Sequence, residues 1–152
     1  MGSPPSPIED SWGALPAVWR VCIEQAVESF AARGLPVGAA VTNTNGVLAT
    51  GRNRVYDTAG GSDPLQRTAL AHAEMNALAK IGTDIDLAVC DLWTTHSPCS
   101  MCRAAAQFVG VRAVHHLARD PSDDAAPPNE PDRADELDIW AVPADREVVT
   151  RR

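Results

Sequence analysis

The 152-residue sequence predicts an α/β fold. Three patterns carry that prediction. After a first stretch of helical spacing over residues 14–33, short strand-like runs alternate with helix-forming runs, as in an α/β sandwich. The turn sequence Asn43-Thr44-Asn45-Gly46 between two such runs reads as a hairpin, hence an antiparallel pair. A strand–helix–strand crossover over residues 87–117 favours parallel pairing. Pairs of both kinds make the sheet mixed.

Over residues 14–33, Val18, Cys22, Ile23, Ala26, Val27 and Phe30 mark one apolar face; Pro16 suits a first turn and Gly34 a stop. Residues 37–42 read as a buried strand and 47–51 as its hairpin partner. Residues 53–66, with Gly60, Gly61 and Pro64, read as an irregular loop suited to carrying ligand contacts. Strong helix formers fill 68–81, and Gly82 follows. A third strand is expected over 87–95, a helix over 99–109 ended by Gly110, and a fourth strand, with His115 and His116, over 111–117. Residues 119–136 mix Pro121, Pro127, Pro128 and Pro131 with many Asp and Ala, a loop and not a second domain. Leu137, Ile139, Trp140 and Val142 turn apolar again and predict a short element returning to the body.

The composition, 45% hydrophobic and 22% charged, is that of an ordinary globular chain of one domain. No apolar run approaches the roughly 20 residues of a membrane span, so no membrane partner is expected. The first ten residues are Pro- and Ser-rich and acidic, unlike a signal peptide, and read as a flexible lead-in to a cytoplasmic protein. Residues 1–119 hold 10 acidic and 9 basic side chains, residues 120–152 hold 10 and 4, so the net charge of −7 lies mostly in the tail. A near-neutral body without a Lys/Arg cluster argues against a nucleic-acid partner. Of four cysteines, Cys22 and Cys90 fall in apolar patterns and read as buried thiols, not a disulfide.

The chemistry concentrates in His72-Ala73-Glu74 and Pro98-Cys99-Ser100-Met101-Cys102. Cys99 and Cys102, three apart at a helix start, can aim both sulfurs at one spot. His72 completes a three-ligand zinc set, which leaves a coordination position for water, as in catalytic sites. Glu74, two residues from His72, is placed to act as the base for a metal-activated water. The alternative, a zinc-stabilised interaction module without catalysis, requires a fourth protein ligand, and the sequence offers no clear candidate.

These segments, with Pro36-Val37-Gly38-Ala39-Ala40-Val41, Gly51-Arg52-Asn53, the run His72 to Leu78 and the run Leu92 to Cys102, resemble the cytidine deaminase-like superfamily. The similarity spans roughly residues 15–118 and is strongest to the branch of cytosine, guanine, deoxycytidylate and tRNA adenosine deaminases. It implies a three-layer α/β/α sandwich around a central mixed sheet of about five strands. The organisation expected is a lead-in over 1–12, a zinc deaminase domain over 13–118, and over 119–152 an acidic Pro-rich segment and a C-terminal element packing on the same domain. The implied activity is zinc-dependent hydrolytic deamination of an amino-substituted nucleobase or small nucleoside, cytosine- or guanine-like, by attack of zinc-bound hydroxide, with Zn2+ as cofactor and a homodimer as the assembly. Deamination of adenosine in tRNA is the alternative, disfavoured because Ser97 stands where those enzymes typically carry Glu. By the same resemblance Asn53 contacts the base edge or its sugar, the Ser97 carbonyl accepts from the exocyclic amine, Trp93 and His96 shape the pocket, and Trp140 lies over the site. Core packing is the alternative for Trp93. Two features depart from the pattern. Arg103 replaces a small residue and is expected to face solvent or a neighbouring subunit, and the Pro- and Asp-rich tail has no counterpart.

Overall fold

The computed structural model describes residues 7–58, 61, 63–118 and 135–136. A mixed sheet forms its centre, in strand order β2-β1-β3-β4-β5. The strands are β1 (Gly38–Asn43), β2 (Gly46–Arg52), β3 (Asp91–His96), β4 (Ala113–Ala118) and the two-residue β5 (Asp135–Glu136). β1 runs antiparallel to both β2 and β3, whereas β3, β4 and β5 are mutually parallel. The hairpin and the crossover read from the sequence are both present, and so is the three-layer arrangement.

Helices α1 (Pro7–Ala14) and α2 (Ala17–Ala31) precede the sheet; α3 (Ala73–Leu78) and α4 (Ser100–Val109) are its crossovers. On one face α2 brings Trp19 and Cys22 onto Ala40 and Trp93. On the other, Ala73 and Ala77 of α3 and Ala106 of α4 pack on Ala39, Val41, Leu92 and Val114. Among the described residues no helix is long and apolar enough to cross a membrane. Cys22 and Cys90 are free and buried.

Glycine sets how closely two helices approach. A Cβ on Gly38 would collide with the α2 backbone at Cys22 and Ala26, and one on Gly51 with the α3 backbone at Ala73 and Ala77. Removing that atom lets each helix lie directly on its strand.

Several boundaries differ from the sequence reading. Residues 7–14 form α1, where the sequence reading placed a lead-in over 1–12 and began the first helix at 14; Pro7 suits a first helical position. The buried stripe of α2 is Trp19, Cys22, Ala26 and Ser29, so Val27 and Phe30 are exposed, contrary to the expected apolar face. The helix expected over 68–81 is only α3, because His72 is extended and residues 68–71 form turns. Residues 87–89, expected in strand, form one 3-10 turn at whose start the Asp86 carboxylate accepts from Ala88 N.

Candidate metal centre and active site

Both crossover helices begin at one place. His72 is the N-cap of α3 (φ −68°, ψ 157°) and Cys99 the N-cap of α4 (φ −64°, ψ 167°), and neither side chain caps its own helix. Cys102 follows one turn into α4, on the same side as Cys99. Because β2 and β3 are both antiparallel to β1, the two helix starts lie past the C-terminal ends of like-directed strands, where α/β sheets place ligands.

His72 Nδ1 is 3.6 Å from each of the Cys99 and Cys102 sulfurs, which are 3.6 Å apart. Among the described residues this is the one group of three or more such donors able to hold a metal, all within 4.8 Å of one another. With Zn–S about 2.3 Å and Zn–N about 2.0–2.1 Å, tetrahedral angles put sulfurs roughly 3.8 Å apart and sulfur and nitrogen roughly 3.6 Å apart. The triangle therefore has the dimensions of one face of a zinc coordination sphere and is not a set of thiol hydrogen bonds. One imidazole and two thiolates fit Zn2+.

Burial, then the charges of Glu74 and Cys99, push the Cys102 thiol up. Two thiolates and a carboxylate so close repel one another unless a cation lies between them, and a divalent ion reverses that sign. The N-terminal end of α4 adds to the same field.

Glu74, on the first turn of α3, is buried. Its Oε1 accepts a hydrogen bond from Thr94 Oγ1 at 3.0 Å, and its Oε2 lies 3.5 Å from Cys102 Sγ. The carboxylate thus borders the donor triangle without belonging to it. Thr94 is the residue that sequence reasoning missed. Strand alternation puts Leu92, Thr94 and His96 on the face that α3 and α4 cover, but does not single out Thr94 as the partner of Glu74.

Asn53 follows β2 and is buried; its N–H donates to Val37 O and its Oδ1 accepts from Val55 N. The next N–H, of Arg54, donates to Ala71 O, and Asn76 Nδ2 bonds both Arg52 O and Ala71 O. This clamp holds the Asn53 segment beside the residue preceding His72. Ser97 is buried, and its N–H donates to Ala118 O. His96 ends β3, half-buried. Trp93 does not face the donor triangle. It lies on the opposite sheet face, edge-on to Trp19 and stacked on His115, and its Nε1 donates to Thr42 Oγ1, so its expected place in the pocket gives way to core packing. Arg103 does not simply face solvent. Its Nε donates to Pro98 O and its Nη2 to Ser97 Oγ, both at 2.9 Å. Trp140 lies outside the described residues.

Residues 15–118 match the family described as the cytidine and deoxycytidylate deaminase zinc-binding region. Cytosine deaminase of Candida albicans is 32% identical over 101 residues, 62% of this chain and 60% of that protein, so the alignment spans less than two thirds of the relative. The structure of guanine deaminase from Nitrosomonas europaea is 27% identical with a TM-score of 0.56, covering 82% of this chain and 74% of that one. A structure from work on A-to-I editing by tRNA:A34 deaminases is 26% identical with a TM-score of 0.55, covering 69% and 77%.

Proposed function

The chain belongs to the cytidine and deoxycytidylate deaminase zinc-binding family, and from that premise we propose that it is a hydrolytic deaminase of an amino-substituted nucleobase or small nucleoside, of cytosine or guanine type. The observation that carries the reaction is the buried Glu74 carboxylate set against a three-donor zinc site, with Thr94 holding its far oxygen.

Zinc held by His72, Cys99 and Cys102 supplies a Lewis acid that brings the pKa of a water towards about 7. Glu74 takes a proton from the attacking water through Oε2 and delivers it to the ring nitrogen beside the amino-bearing carbon. It then moves the second water proton to the amine, the C–N bond breaks, and ammonia leaves with the oxygen retained as a carbonyl. Asn53 and the Ser97 carbonyl orient the base.

The substrate class is supported by where the cations are spent. Arg52 bonds both oxygens of Asp57 at 3.0 Å, Arg54 reaches Asp57 at 2.6 Å and Asp63 at 2.8 Å, and Lys80 reaches Asp63 at 2.7 Å. Burial alone would raise Asp57 and Asp63, but these cations outweigh it and hold both carboxyls below the usual range. A substrate phosphate would have to displace a carboxylate from these cations. The reading extends to a reducing, cytoplasmic setting, which suits the free Cys22 and Cys90 thiols, and to a homodimer, which would cover apolar surface such as Phe108 of α4, 92% exposed. Ammonia release from zinc-loaded protein should be measured on cytosine, guanine, their nucleosides, deoxycytidine monophosphate and a tRNA. Higher kcat/KM on a base or nucleoside than on the nucleotide is expected; turnover of the nucleotide or tRNA alone overturns the substrate assignment.

A further inference from the structure

We propose that Arg103 is a positioning residue, a strap that fixes Cys99 and the Ser97 wall of the pocket against the first turn of α4. The proposal rests on the zinc-deaminase reading of this site. Arg103 is the fourth residue of α4, immediately after Cys102. A cation near a helix N-terminus opposes the helix dipole, and this first turn holds no acidic residue to offset it. The residue is therefore poorly placed for the helix itself, and a local rule broken in this way marks a site whose compensation lies elsewhere.

The compensation is visible. The Arg103 side chain runs back past its own helix start and donates Nε to Pro98 O and Nη2 to Ser97 Oγ. Its backbone N–H donates to Cys99 O at 2.9 Å. The side chain thus grips two consecutive positions, Ser97 and Pro98, directly before Cys99, whose carbonyl takes the ordinary helix bond from the Arg103 N–H. The other end of this segment is tied to the sheet, through Ser97 N to Ala118 O at 2.7 Å. Cys99 needs such a hold. It is the exposed member of the donor triangle, whereas Cys102 is buried within α4 and His72 is anchored by the clamp at Ala71. The planar guanidinium holds its donors in a fixed fork suited to bridging a carbonyl and a hydroxyl at once, whereas a flexible ammonium must lose more freedom to do so.

The test is zinc retention, read by competition with a chromophoric chelator, in the parent, Arg103→Met and Arg103→Lys, with thermal unfolding of the chelator-treated proteins alongside. Outer contacts that orient metal ligands are worth about 10–100-fold in metal affinity. Arg103→Met is expected to hold zinc about tenfold more weakly, Arg103→Lys to fall between it and the parent, and the cobalt-substituted protein to change its sulfur-to-metal absorption, with unfolding of the metal-free proteins little altered. Zinc affinity of Arg103→Met within about twofold of the parent, with an unchanged cobalt spectrum, overturns the proposal. So does an equal loss in both variants that tracks a drop in metal-free stability, since that is a general packing defect. A parent that holds zinc but deaminates no base refutes the activity and leaves this readout intact.

Discussion

Thr94 Oγ1 holds Glu74 Oε1 and leaves Oε2 facing the donor triangle, and a carboxylate held at one end is a base with one geometry. Thr94→Val keeps the shape and removes the donor. A hydrogen bond to a charged group is worth about 1.5–3 kcal/mol, so kcat should fall about tenfold or more while zinc content stays at the parent level. An unchanged kcat would assign Thr94 to packing alone. The cysteines offer a second check. Burial pushes the Cys22 thiol up to about 12, whereas Cys99 is exposed. After chelation an alkylating agent should modify Cys99 first, and zinc should protect it; Cys22 reacting ahead of Cys99 would contradict the described burial. His72, Cys99 and Cys102 could be read from spacing because metal ligation restricts both residue type and interval. Thr94 could not, since a threonine in a strand is an ordinary β-former and its partner is named only once β3 meets α3.

The position of α3 depends on an atom that is missing. Gly51→Ala would drive a Cβ into the α3 backbone at Ala73 and Ala77, so the helix carrying Glu74 must lift from β2. Overpacking of this kind costs about 1–3 kcal/mol or more. Urea denaturation should show that loss for both Gly51→Ala and Gly38→Ala, but at equal stability only Gly51→Ala should also weaken zinc binding, because Gly38 lies under α2. Equal zinc affinity in the two variants would detach α3 placement from the site. The sequence showed that a helix follows the 53–66 loop, yet misplaced its start. Leu70 and Ala71 have good helix propensity, but propensity does not register the extended backbone at His72 that turns the imidazole to the metal. Helix α1 was hidden in the same way by a Pro- and Ser-rich lead-in.

Across the molecule, the parallel β3–β4 pair is locked where both strands begin. Arg112 bonds both oxygens of Asp91 at 2.8 Å, and its N–H donates to Cys90 O. His115 Nε2 lies 3.4 Å from Asp91 Oδ2, a contact without hydrogen-bond geometry. Burial alone would raise the Asp91 carboxyl, but His115 and Arg112 outweigh it and hold it at about 2 against an ordinary 3.8. A carboxyl depressed on folding stabilises the fold fully above its unfolded value and loses that contribution as pH falls through its folded value. The shift corresponds to about 2 kcal/mol. Asp91→Asn should therefore be less stable than the parent by about that amount at neutral pH, with the gap closing between pH 3.8 and 2 in urea titrations. A gap that persists unchanged to pH 2 would mean the lock is not electrostatic. The mixed three-layer sheet was readable because hairpin and crossover signals are local. The occupancy of Arg52, Arg54 and Lys80 by Asp57 and Asp63 was not, because it depends on how the loop folds back on α3.

The reading stands or falls on Glu74 as the proton carrier at a zinc site. Ammonia release by zinc-loaded Glu74→Gln should be compared with the parent on whichever base the parent turns over, with bound zinc quantified in both. One zinc per chain in each and a loss of at least about 100-fold in kcat for the variant is the expected result. A variant that keeps its zinc and the parent rate would show that the carboxylate beside the metal is not the base.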